Sequence, residues 1–557
     1  MAARLTAFVV VAIVAVTLIA GLIVGAQRDD SDGPVDVIVH NARVYTADRA
    51  GRTAEAVAIR GNQILRVGSD REISRLKRPQ TTMIDAKGAT VLPGFNDTAV
   101  DLVGGGAAID RIDLLDAPAL EDVEHRVREW AEANPDQPWV LGRGWRRELF
   151  ADGRPTRQLL DRLVGDRPAR LLSADGRMAW VNTRALRLAK ITRKTGAPSM
   201  GAIVHDGRTG EPTGLLEGSA VALVERLLPA PTMGDRERAL RTAIATAHRY
   251  GVTSVQDVAD GPEDLAAYAS AQRTGDLQVR VYAALPVASD LADADLDQLE
   301  LTTRKFPDDP LLKAGAVSVA LDSGPVLPGM ASEPAAGALR FDADTLNRLI
   351  RRLDARGWQI LTGASTELSA RMAFDAYQHA VRSNPDRPGE RRHRLEHLTA
   401  IGDDDLARAG SLRLLASLRP FDRRVGGDGS SASDVSAFAR QLLTAKARVV
   451  LGSGWPSAPL DPLEVLNAIA GPAVTADPDD ERPRLSLKAA IDAYTSGSAW
   501  ASFDEQRKGT IAAGMLADLV VLSDDILTTP ARLQDTHVEV TIFDGKVVFR
   551  RSERATN

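Results

Sequence analysis

The chain opens on an almost unbroken apolar run, Leu5 through Ala26, interrupted only by threonine and glycine. A helix of that length reaches about 33 Å, enough to cross the hydrocarbon core of a bilayer. After a short polar stretch, Gln27–Pro34, the pattern changes to alternation with a period of two. Glu55–Arg60 and Gln63–Gly68 set Val57 and Ile59 against Leu65 and Val67 across Gly61-Asn62, which predicts a β-hairpin. A strand at Asp518–Leu522 and a hairpin of Val538–Phe543 and Lys546–Phe549 around Asp544-Gly545 close the chain. Two strand-rich ends, residues 35–89 and 505–553, predict one small β domain built from both termini. In the middle, residues 90–504, short apolar runs alternate with amphipathic stretches. The runs are Thr90–Leu92, Trp139–Gly142, Arg170–Ser173, Thr253–Val255, Val279–Ala283, Val317–Leu321, Gln359–Thr362, Arg394–Glu396, Leu414–Ser417 and Val449–Gly452. The amphipathic stretches include Arg236–Tyr250, Ala343–Arg356 and Leu368–Val381. Alternating strands and helices predict βαβ units and a parallel sheet. These runs exceed the eight that a closed barrel needs, and the surplus is assigned to an insertion at about residues 116–231.

Composition narrows the possibilities. A chain of 557 residues suggests more than one domain. A net charge of −6 gives no basic stripe for nucleic acid. The absence of cysteine excludes disulfides, thiolate metal sites, a cysteine nucleophile and a lipoprotein anchor. The apolar run is longer than the core of a usual signal peptide. Arg4 precedes it, and Asp29, Asp30 and Asp32 follow. The expectation is an uncleaved signal anchor at residues 5–26 with an extracytoplasmic body; secretion after signal cleavage is the alternative.

Several motifs then fall in a telling order. They are Val91-Leu92-Pro93-Gly94-Phe95-Asn96-Asp97, Gly142-Arg143-Gly144-Trp145, Ala179-Trp180-Val181-Asn182, Pro212-Thr213-Gly214-Leu215 and Gly251-Val252-Thr253-Ser254-Val255. Arg392-His393-Arg394-Leu395-Glu396-His397, Pro459-Leu460-Asp461-Pro462 and Ala517-Asp518-Leu519-Val520-Val521-Leu522 follow. On these residues the chain resembles the amidohydrolase superfamily, and within it amidohydrolase family 3, the branch of N-substituted formamide deformylase-like proteins. The resemblance spans about residues 35 to 550. It implies an α/β fold, a (β/α)8 TIM-type barrel with a composite β-sandwich. It also implies hydrolysis of non-peptide C–N bonds by one or two divalent metals such as zinc at the barrel mouth. Such a metal brings the pKa of bound water from 15.7 to about 7.

The positions that would bind metal depart from the family. Its His-x-His is Ala99-Val100-Asp101; its His-Ala after Gly357-Trp358-Gln359 is Gly363-Ala364; its Gly-Ser-Asp is Gly452-Ser453-Gly454. The family's carboxylatable lysine falls in the stretch Ser318–Asp322, which has none. Its Ser-Val-His-Asp is Ser254-Val255-Gln256-Asp257, and its Asp-Gly-His is Asp175-Gly176-Arg177. His397, Asp101, Asp257 and Asp322 remain as remnant metal candidates. The expectation is therefore a membrane-anchored pseudoenzyme that works without a cofactor. Arg177, Gln256 and Trp455 would line a pocket for a small molecule, Arg177 favouring an anionic one, or the mouth would receive an envelope protein. An active amide or carbamate hydrolase with a remodelled metal site, and an envelope scaffold, are the alternatives.

Overall fold

The computed structural model describes residues 34–552 apart from 49, 175, 200, 260, 289–290, 307, 323–338, 422–431 and 472–483. The run Leu5–Ala26 lies outside them. Among the described residues no helix is long and apolar enough to cross a membrane.

Eight strands form a parallel sheet that curls into a nearly closed barrel. In chain order they are β1 (Phe95–Val100), β2 (Val252–Val258), β3 (Arg280–Pro286), β4 (Leu312–Ala320), β5 (Gln359–Gly363), β6 (Arg394–Glu396), β7 (Leu415–Leu418) and β8 (Arg448–Leu451), each paired with the next. No ladder joins β8 to β1. The seam is bridged at its C-terminal rim, where Val100 pairs in parallel with Trp455 and Thr98 Oγ1 donates to Leu451 O at 2.9 Å. The buried Asp97 carboxylate holds this rim. It accepts from Ala99 N and Ser453 N at 3.0 Å and from Tyr494 Oη at 2.8 Å. Gly452 has to be glycine there, because a Cβ would lie 2.6 Å from Ala99 Cβ.

The helices around the barrel follow the periodicity. Ala343–Ala355 starts at Asp342, which accepts from Thr345 N, and buries Leu346, Leu349, Ile350 and Leu353 on one stripe. Met233–Arg249 starts at a capping box of Thr232 and Asp235 and buries Leu240, Ala243, Ile244 and Ala247. Both hairpins form around their turn dipeptides. In the first, Val57 faces Val67, but a bulge after Ala58 brings Ile59 opposite Ile64 rather than Leu65.

Both ends of the chain contribute to the β domain. A four-stranded sheet runs Gln63–Gly68, Ala56–Arg60, Val37–His40, Thr82–Asp85; a six-stranded sheet runs Lys546–Arg550, Val538–Phe543, Leu519–Leu522, Thr90–Pro93, Arg43–Tyr45, Thr53–Ala54. Thr90–Pro93, read from the sequence as the opening of the barrel, thus lies between Leu519–Leu522 and Arg43–Tyr45 in this second sheet. The barrel begins one residue past Gly94, at Phe95. A Cβ on Gly94 would lie 2.1 Å from Thr253 Oγ1, so this glycine lets the chain pass from one domain to the other against β2.

The surplus strands belong to a separate six-stranded sheet between β1 and β2, ordered Gly201–His205, Pro212–Gly218, Met178–Val181, Ala169–Ser173, Val140–Trp145, Ile112–Asp113. It has its own core, in which Phe150 stands edge-on between Trp145 and Trp180 with ring centres 5.6 and 5.1 Å apart.

Barrel and sandwich are pinned together by Arg280, 3% exposed at the start of β3. It binds Asp518 through Nε (2.6 Å) and Nη2 (2.9 Å), and Asp544 through Nη2 at 2.9 Å. Arg280→Ala leaves Asp518 buried without its partner and is expected to cost about 3–5 kcal/mol. Urea denaturation checks this, and a loss below about 1 kcal/mol, the value of an exposed pair, would show that the link is dispensable.

Candidate functional site

Catalytic and binding groups of such barrels gather where the strands end, so the side chains at these ends decide what the mouth can do. Three of the four remnant metal candidates are engaged in holding backbone. Asp101 caps the helix Leu102–Ile109, accepting from Gly104 N at 2.7 Å. Asp257 accepts from Leu102 N at 2.8 Å and from Tyr268 Oη at 2.7 Å. Asp322 accepts from Ser365 N at 2.8 and 3.0 Å and from Thr366 N at 3.2 Å, at the start of the helix Glu367–Ser383. Asp101 and Asp257 are close enough to interact by charge. Burial raises the Asp257 pKa well above the usual carboxylate range, and the Asp101 charge adds to it.

The fourth candidate, His397, is covered by an arginine. Arg419 Nη1 lies 3.0 Å from His397 Nε2 and 3.3 Å from Nδ1, and Arg419 Nη2 donates to Glu396 Oε2 at 2.9 Å. A guanidinium can only donate. Whichever imidazole nitrogen faces it therefore offers its lone pair, the same pair that a metal would take. His397 is held in the left-handed region at φ 59°, a conformation that persists where surrounding contacts compensate for it.

Glu396 also forms an ion pair with the Nε of Arg394, which is fully buried inside the barrel. Arg394 reaches Gln256 Oε1 and, at 3.1 Å, Thr98 O. Burial by itself would raise the Glu396 pKa; the Arg394 and Arg419 guanidiniums, helped by the Ser417 hydroxyl, outweigh it and hold the carboxyl below the usual glutamate value. The carboxylate is thus the hub of an ionised network along the barrel interior.

The donor set does not fit a catalytic metal. Ala99 is buried at the seam and carries no donor atom. Gly454, where the family's aspartate would be, has φ +77°, and a Cβ built there would lie 3.4 Å from Arg419 Cδ. Among the described residues no three histidine, aspartate or glutamate side chains come together in a group that could hold a metal ion.

The three residues expected to line a pocket have separate settings. Gln256 is buried, bound to Arg394 and donating to Ser498 O at 2.7 Å. Trp455 is 7% exposed with its ring pressed on Gly105, where a Cβ would meet Cζ3 at 2.1 Å. Arg177 stands exposed in the turn before Met178–Val181 of the inserted sheet. Arg419 and Arg394 were not singled out as site residues from the sequence. The available signal was an arginine opening one predicted strand, Arg394–Glu396, where apolar residues are usual, and another just past the end of the next, Leu414–Ser417.

Comparison with known proteins agrees with the fold. The sequence profile of the amidohydrolase family matches residues 82–549. The Bacillus subtilis protein YtcJ, named as an amidohydrolase, is 28% identical over 92% of this chain and 99% of its own. The N-substituted formamide deformylase of Arthrobacter pascens is 26% identical over 93% of this chain and 99% of its own. A crystal structure of a metal-dependent hydrolase from Pyrococcus furiosus superposes with a TM-score of 0.65 at 23% identity, covering 86% of this chain and 97% of that one.

Because the folded-state pKa of Asp257 is raised, this group favours folding at low pH. That contribution is lost as pH rises from the unfolded carboxyl value through the folded one. Asp257→Asn, which keeps an acceptor for Leu102 N, is expected to gain stability relative to the unmodified chain as pH rises from 4.5 to 7.5. Urea denaturation across that range measures the difference, and a gap independent of pH would mean that Asp257 does not titrate as described.

Proposed function

The chain belongs to the amidohydrolase family, and on that premise we propose that it is a member whose metal centre has given way to a fixed arginine–carboxylate network, leaving a membrane-anchored body that binds a small ligand or an envelope partner. The observation that carries this reading is Arg419 lying across both ring nitrogens of His397 while bound to Glu396. A guanidinium in this place brings positive charge to the mouth but cannot supply the metal's chemistry. It has no open coordination position and does not convert water to hydroxide at neutral pH. The loss of side-chain donors at Ala99, Gly363 and Gly454 supports the same reading. The anchor is the apolar run Leu5–Ala26, with the body on the extracytoplasmic side.

A second reading is favoured by the retained Glu396-His397 pair and by the relatives named as amidohydrolase and deformylase. Under it, the chain hydrolyses amide, carbamate or formamide-like bonds at a remodelled metal site.

One preparation separates the two. The full chain is extracted from membranes, dialysed against zinc, manganese and calcium, and analysed by plasma mass spectrometry. The proposal expects extraction to need detergent rather than alkaline carbonate, and well under one metal per chain, unchanged in His397→Ala. A stoichiometric metal lost in His397→Ala, with turnover of N-substituted formamides, would establish the hydrolase reading instead; release by carbonate would remove the anchor.

A further inference from the structure

Three arginines meet where the inserted sheet adjoins the barrel rim. Arg143 and Arg170 stand on neighbouring parallel strands, Val140–Trp145 and Ala169–Ser173, with Leu141 beside Arg170 and Arg143 beside Leu172. This register sends both arginine side chains out of the same face of the sheet. Arg143 reaches across to the barrel, donating to Pro456 O at 2.5 Å, with Asp113 at 3.4 Å. Arg111 follows the helix that leaves β1, and the charges acting on it are those of Arg143, Asp101, Glu225 and Asp110.

The cluster is short of acceptors. Arg170 is 5% exposed; among the described residues its one ion pair is to Glu225 at 3.5 Å, and its Nε is buried with no hydrogen-bond partner. The Nε of Arg143 is likewise buried and unsatisfied. Among the described residues the Arg111 side chain makes neither a hydrogen bond nor an ion pair. Of the acids nearby, the Glu225 and Asp113 side chains are 44% and 49% exposed, and Asp101 is engaged with its own helix. Burial lowers the Arg170 pKa to about 10; Glu225 opposes the shift and Arg111 adds to it. Burying a guanidinium is costly unless its charge and its donors are met, and a fold has no need to gather three of them around acceptors this loose.

We propose that this junction is an oxyanion site, in which Arg111, Arg143 and Arg170 hold the carboxylate or phosphate group of a small acidic molecule. Planar guanidinium forks match either group through paired hydrogen bonds. The inference goes beyond the reading of the barrel mouth and does not depend on whether that mouth binds metal. It puts the ligand's acidic end beside Trp455-Pro456, on the inserted sheet's side of the rim.

The test titrates the full chain in detergent with EDTA present, so that metal plays no part. The probes are inorganic phosphate and citrate, each against sodium chloride of equal ionic strength, read by calorimetry and by thermal unfolding. Saturable binding of either probe is expected, with a rise in Tm, weakened about tenfold or more in Arg170→Met and in the partly exposed Arg111→Gln and unchanged in Arg304→Gln, an exposed arginine outside the cluster. Phosphate alone or citrate alone would identify the source of the anion. The site is overturned if neither probe binds above the chloride control, or if Arg111→Gln, folded to the same extent, binds as the unmodified chain does.

Discussion

The Glu396 carboxylate is the charge around which the barrel interior is arranged. It sits buried at the end of β6, between Arg394 and Arg419. An isolated carboxylate there would be untenable, and so would either arginine. Together they form a chain from Gln256 and Thr98 on one wall, through Arg394 and Glu396, to Arg419 and His397 at the rim. The chain explains why the interior can stay polar without metal: charge is balanced within the protein. Removal of one member would leave its partner buried and unmatched, a more costly state than the pair's absence.

The surrounding fold is that of the amidohydrolase family, with the parallel barrel, the composite sandwich and a seam held by Asp97. At the ligand positions, however, the same scaffold has taken up structural work. Asp101 caps a helix, Asp257 ties β2 to the backbone at Leu102 and to Tyr268, and Asp322 holds the start of the helix after β5. Gly454 lies under the stem of Arg419. Function follows from the side chains at the strand ends rather than from the barrel.

Much of the architecture could be read from the sequence because strand periodicity and turn dipeptides are local signals. The hairpins at Gly61-Asn62 and Asp544-Gly545 and the amphipathic helix Ala343–Ala355 are of this kind. Thr90–Pro93 was harder, since an apolar run does not say which sheet it joins; its partner Leu519–Leu522 lies more than four hundred residues away in the chain. The vacated ligand positions were visible as Ala99, Gly363 and Gly454. What filled the space was not, because Arg419 meets His397 only once β6 and β7 lie side by side. Likewise Arg170 looks like an ordinary strand-end charge until its register with Arg143 puts both on one face.

The central claim is that Arg419 already uses the lone pair of His397 that a metal would need. Nitrogen resonance of the full chain with 15N-labelled histidine reads this directly, with His397→Ala identifying the signal. On titration with zinc in slight excess, the His397 ring nitrogens are predicted to keep their shifts. A zinc-dependent displacement of the His397 Nε2 or Nδ1 resonance, saturating at one equivalent, would show that the imidazole is an available metal ligand and would contradict the account.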